Sequence, residues 1–202
     1  MPAAPRAKNT EVPRWPSLLL QQRVPQSLVR AIQSSAPDLA ESVRRSKRAA
    51  AAIMWISGVP IGQIEQELLR HMPRSSGASG SVRASAERTR DLIPAVGAVL
   101  HELNPGQDYG RLLDRTMVRL ELGIPAEICD LVIMSGATLS RTEWLAVAHA
   151  GVTSVEVIKD ATVEHLASIL GSEEAARTLR QACETKSSRA EESSLVLPVP
   201  TE

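Results

Sequence analysis

The chain has 202 residues, 43% of them hydrophobic, with 23 basic and 23 acidic side chains. That is enough for one ordinary domain or two small ones with a real core. No apolar run approaches ~18 residues, and the opening MPAAPRAKNTEVPRW has no apolar stretch. These features predict neither a transmembrane helix nor a secretory signal, and the expectation is a soluble cytoplasmic protein without membrane contact.

The zero net charge hides an asymmetry. Residues 1–119 hold 17 Lys and Arg against 10 Asp and Glu, while residues 120–202 hold 6 against 13. Any polyanion is therefore expected to meet the front half. With no Phe, one Tyr and three Trp, an aromatic platform for stacking bases is poorly supplied. Cys129 and Cys183 lie far apart without a CxxC partner, which predicts two semi-buried thiols rather than a zinc site or a disulfide.

Residues 1–14 are Pro/Ala-rich and polar, and are expected to form a disordered arm. An N-terminal helical, winged-helix-like unit is predicted over 15–72. Within it Pro25 starts a helix to about Ser34. Pro37-Asp38 opens a second helix to about Ser57, charged early (Arg44, Arg45, Lys47, Arg48) and apolar late. Gly58 is its expected stop, and Pro60 starts a third helix with Ile61, Ile64, Leu68 and Met72 on one face.

PRSSGASGS, 73–81, reads as a hinge loop. A helical bundle is predicted over 82–133. In its first helix Val82, Ala86, Thr89, Ile93, Val96, Leu100 and Leu103 form a near-heptad stripe, with a kink expected at Pro94. Asp108 caps a helix over about 109–122 that is expected to bury Leu112, Leu113, Met117 and Leu120, with Gly123 as its stop. A short helix from Pro125 to about Ile133 leads into a helix-hairpin-helix module over 134–184. Its helices are punctuated by Gly136, Gly151 and Gly171. The tail 185–202 is expected to be disordered. Apart from Ser194–Val199, no segment alternates with period two. The fold class expected is all-α: a multi-helical bundle ending in a helix-hairpin-helix module.

Catalytic signatures are missing. There is no GxxxxGK[ST] loop, no HExxH and no GxSxG. The histidines, His71, His101, His149 and His165, are each isolated on predicted helices, and no metal or cofactor is expected.

Three features suit a polyanion. Arg111, Arg115 and Arg119 recur at i, i+4 and i+8, and Arg83 and Arg90, seven apart, share one helical face with Arg88 nearby. The ordinary alternative is a solvated face with local pairs such as Arg83–Glu87. Gly136 permits a tight turn in Met134-Ser135-Gly136-Ala137-Thr138, Ser140 can cap the following helix, and Arg141 is the cation at its mouth. The cluster at 44–48 reads as a solvated helix face.

Residues of about 48–171 resemble the C-terminal region of large DEAD/DEAH-box superfamily 2 helicases, the group with a winged helix, a helical ratchet domain and a helix-hairpin-helix end. The stretches that carry this are AAIMWISGVPIGQIEQEL (51–68), ERTRDLIPAVGAVLHEL (87–103), RLLDRTMVRLELGIPAEICDL (111–131) and MSGATLSRTEWLAVAHAGVTSVEVI (134–158). The resemblance implies that helix 82–103 is the ratchet-like one, with Arg83 and Arg90 facing single-stranded DNA. It places Arg119 in the Arg-Leu-Glu-Leu-Gly-Ile-Pro segment and matches Gly136 to the first hairpin glycine. Thr138 stands where a second hairpin glycine is common. Both motor domains are missing.

The expectation is therefore a non-enzymatic accessory module for DNA repair or defence. It guides single-stranded DNA, with RNA as the alternative, beside a separate ATP-driven helicase motor. The candidate contacts are Arg83, Arg90, Arg111, Arg115, Arg119, Gly136, Thr138 and Arg141. The alternative is a protein–protein adaptor that docks on a helicase or a defence or repair complex without touching nucleic acid.

Overall fold

The computed structural model describes residues 19–21, 23–69 and 79–194. The arm 1–14, most of the hinge loop 73–81, His71, Met72 and the period-two stretch after Ser194 lie outside the described residues. Regular structure among the described residues is helical throughout, with no strand. The wing of a winged helix is thus not formed among them. The chain divides into two compact units, 1–123 and 124–202.

The first unit contains α1 (Gln26–Ser34), α2 (Leu39–Ile56), α3 (Ile61–Leu69), α4 (Ser79–Leu103) and α5 (Gly110–Leu122). Asp38 starts α2 by accepting the Glu41 N–H at 2.7 Å, a cap worth about 1 kcal/mol. Arg45 and Arg44 both pair with Glu41 and hold its carboxyl below the usual carboxylate value. Arg45 also donates to Ser35 O and Ser35 Oγ, both at 3.0 Å. Arg44 and Arg45 of the 44–48 cluster are thus tied to local structure.

α2 is the central helix, packing against α1, α3, α4 and α5. It brings Val43, Ala50, Met54 and Trp55 into one core with Leu19, Val29, Ile64, Val82, Ala86 and Leu120. α4 runs unbroken through Pro94 and pairs with α5. The start of α5 differs from expectation. Tyr109 occupies the N-cap position, and Asp108 instead accepts the Gly110 N–H at 2.8 Å, a turn closed from one residue further out. Of the four α5 residues expected inside, Leu120 is buried, Leu113 and Met117 are half-buried and Leu112 is exposed.

Two reciprocal hydrogen bonds latch α2 to α5. The Trp55 indole N–H donates to Leu120 O at 2.7 Å, and the Arg119 guanidinium donates to Ile56 O at 2.9 Å. Each acceptor lies in the last turn of its helix, where carbonyls have no partner within the helix. Arg119 also brings a cation to the negative end of α2.

The second unit begins just past Gly123, about ten residues before the predicted boundary at 133/134. Gly123 stops α5 at φ 66°, and Ile124, Ile128 and Cys129 after it are all buried. A 3-10 turn (Ala126–Ile128) leads to α6 (Cys129–Ser135), α7 (Arg141–His149), α8 (Val155–Asp160), α9 (Val163–Leu170) and α10 (Glu173–Ser194). With Ile124 and Ile128, Leu131, Trp144, Val147, Ile158, Leu166 and Leu179 are its most enclosed large side chains. α10 packs on α6, α8 and α9 and continues to Ser194, ten residues past the predicted end of the module at 184. Cys129 and Cys183 are buried and not joined by a disulfide, and burial pushes the Cys183 thiol above its ordinary pKa. No described helix is long and apolar enough to cross a membrane.

Candidate nucleic-acid interface

The helix lengths and stops put five of the six candidate arginines on α4 and α5 of the first unit, and Arg141 on α7 of the second. Taken over the observed boundary, the first unit holds 17 basic against 11 acidic residues, and the second holds 6 against 12. The charge asymmetry therefore coincides with the division of the fold.

On α4, Val82 and Ala86 point into the core, so Arg83 is turned to solvent. It makes no hydrogen bond or ion pair among the described residues, and the Arg83–Glu87 pair is not formed. Arg90 lies about two turns further on the same face. It is half-buried and pairs with Asp91 at 3.3 Å, through a carboxylate that is itself largely exposed. Such a pair contributes little and yields readily to a stronger anion. Arg88 is exposed on a different side of the helix.

The α5 arginines do not form one outward stripe. Each four-residue step turns the side chain by about 40° around the helix. Arg111 is accordingly exposed, Arg115 half-buried, and Arg119 is half-buried with its guanidinium on Ile56 O. Arg119 acts in this structure as a helix-end clamp. Arg119→Met is therefore expected to destabilise the first unit by about 1–3 kcal/mol, the range for losing a charged hydrogen bond to a part-buried carbonyl. Urea denaturation followed by helical circular dichroism checks this; an unchanged midpoint would remove the clamp role.

The turn between α6 and α7 has the expected glycine stop and serine cap, but its helix end is closed electrostatically. Gly136 takes φ 59° at the end of α6, a left-handed conformation that costs a β-carbon-bearing residue about 1 kcal/mol or more. Its N–H donates to Val132 O at 3.0 Å. The Ala137 N–H is taken by Ser135 Oγ at 3.3 Å. At the start of α7, Ser140 Oγ accepts the Glu143 N–H, and the Glu143 carboxylate accepts the Ser140 N–H at 2.6 Å. This capping box places a negative charge at the helix end a phosphate would use. Thr138 is exposed and Arg141, first residue of α7, is half-buried. The pattern Ser-x-x-Glu was the readable signal for this closure.

His149 and His165 are exposed, and no group of His, Cys, Asp and Glu capable of holding a metal ion occurs among the described residues. The chain matches no protein-family model, no curated protein and no solved structure.

Proposed function

We propose that this protein is a non-enzymatic accessory module that binds single-stranded DNA, with RNA as the alternative strand, and guides it beside a separate ATP-driven motor. The observation that carries this reading is the Arg83–Arg90 face of α4. It offers one unengaged guanidinium and one held only by an exposed neighbour, on the basic unit of the chain. Arg111 and Arg115 extend the positive surface along the paired helix α5. The order of the helicase-like stretches supports the motor partner, and the missing phosphate-binding loop supports a module without its own hydrolysis.

The test is fluorescence anisotropy of a labelled single-stranded oligonucleotide at several salt concentrations. Binding with a Kd of about 10⁻⁴ to 10⁻⁶ M is expected at physiological salt. In Arg83→Glu/Arg90→Glu the affinity should fall and the log–log salt slope should flatten by roughly 1–2. No binding below ~100 μM at low salt would sink the proposal.

A second reading rests on the acidic second unit, whose hairpin already carries the Glu143 carboxylate at its helix end. In that reading the chain is an adaptor docking on a helicase or a repair or defence complex. Capture of a helicase through residues 124–184, with no oligonucleotide binding, selects it over the first.

A further inference from the structure

From Glu87 to Arg119 not one residue is buried. This stretch is the later part of α4, the turn 104–109 and most of α5, together a two-helix arm. Its inner seam is narrow. Gly97 lies so close to α5 that a β-carbon there would come within 2.7 Å of Leu113 Cδ1, and Ile93, Leu100 and Leu113 are only half-buried.

A second face of α4, about a quarter turn from that seam, carries Leu92, Val96, Val99 and Leu103, which are 62%, 45%, 57% and 72% exposed. Their spacings of four, three and four set them in a line along the helix, as at the seam of a coiled coil. By these exposures the four side chains leave roughly 450 Å² of apolar surface open, comparable with the largest patch on a typical monomer. A helix with an apolar stripe is stable when the stripe is covered.

We infer that a second copy of this chain covers it, with the two α4 helices pairing antiparallel about a dyad between Gly97 and Ala98. Three observations favour this occupant. The stripe reads Leu-Val-Val-Leu in both directions, so the pairing sets Leu92 against Leu103 of the other copy and Val96 against Val99. Arg88, one turn before Leu92, has no ion pair among the described residues. The antiparallel overlay carries it towards the acidic end of the other arm, Glu102 to Asp108, whereas a parallel one stacks Arg88 on Arg88 and Glu102 on Glu102. The body of the first unit packs around the start of α4, through Val82 and Ala86. Parallel pairing would force two bodies into one place, and antiparallel pairing puts them at opposite ends.

Two stripes together bury about 900 Å² of apolar surface, and the flanking Ala95 and the stem of Arg88 bring the total near the ~1,000 Å² of a small specific interface. An interface of that size falls at the weak end of specific contacts, so the dimer is sought at micromolar concentrations. The inference uses none of the residues proposed for DNA, so either idea can fail without the other.

Sedimentation velocity of the full chain, without nucleic acid, over about 1–100 μM tests it. The mass should rise from the 21.8 kDa of one chain towards twice that value. Val96→Glu/Val99→Glu should stay monomeric across the range with unchanged helical circular dichroism. Leu92→Gln/Leu103→Gln gives the same readout with a milder change, should the first variant lose helicity. In Val96→Cys/Val99→Cys, mild oxidation should link position 96 of one chain to position 99 of the other. A wild-type monomer at 100 μM, a dimer that survives both substitution pairs, or links of 96 to 96 would each overturn the inference.

Discussion

Trp55→Ala is expected to cost the first unit about 3–5 kcal/mol, the range for removing a large buried aromatic side chain. Trp55 is 4% exposed near the end of α2, the helix against which every other helix of the unit packs. Truncation would leave a cavity in the middle of that arrangement. It would also strip Leu120 O of the indole N–H that caps it at 2.7 Å. Trp55→Phe separates the two effects. It keeps most of the ring volume and loses the hydrogen bond, so about 1–3 kcal/mol is expected. Domains of this size are stable by only about 5–15 kcal/mol, so the alanine variant should lose a large part of that margin. Amide hydrogen exchange resolved by peptide is the measurement of choice, because it reads α2 and α5 separately from residues after 123. A loss below about 1 kcal/mol for Trp55→Ala would mean that α2 is not the keystone of the unit.

The ends of helices were the most legible part of this fold. Gly58, Gly123, Gly136, Gly151 and Gly171 each adopt positive φ where a stop is expected, and Asp38 and Ser140 each cap the helix they precede. These signals are local: a side chain or a missing one acts on backbone groups within four residues. The Trp55–Leu120 and Arg119–Ile56 contacts span more than sixty residues of chain, and nothing in either sequence stretch announces the other. The stripe from Val82 to Leu103 shows a different failure. Seven-residue spacing drifts by about 20° per heptad on a straight helix. Val82, Ala86 and Ile93 therefore reach the core, while Val96 and Leu103 at the far end face outward. Read as one seam, the pattern concealed that α4 leaves the body halfway along its length.

The same contrast between local and distant signals governs the candidate interface. The side of α4 that Arg83 faces follows from its neighbours Val82 and Ala86. Whether an arginine is already engaged depends on what lies across the fold, and this distinguishes Arg119, on a carbonyl of α2, from Arg83, on nothing. Spacing alone had placed Arg111, Arg115 and Arg119 on equal terms.

In the second unit the corresponding large effect is expected from Trp144→Ala. Trp144 is the largest fully buried side chain there, on α7, which packs against the 3-10 turn Ala126–Ile128 and against α9. It sits just after the Ser140–Glu143 capping box, so the cap fixes where α7 begins and the ring fixes how α7 seats. Removing the ring is expected to cost about 3–5 kcal/mol. The unit is smaller than the first, and its helices α6 to α9 are each short, none longer than nine residues. Isolated helices of that length are marginal in water and depend on tertiary packing. The variant should therefore lose cooperative unfolding in this unit: amides of α7, α9 and α10 should exchange orders of magnitude faster. Ser140→Ala, which removes the cap and leaves the ring, should cost only about 1 kcal/mol. If both variants shift exchange by the same small amount, burial of Trp144 is not what holds α7 in place, and the capping box alone would have to account for its position.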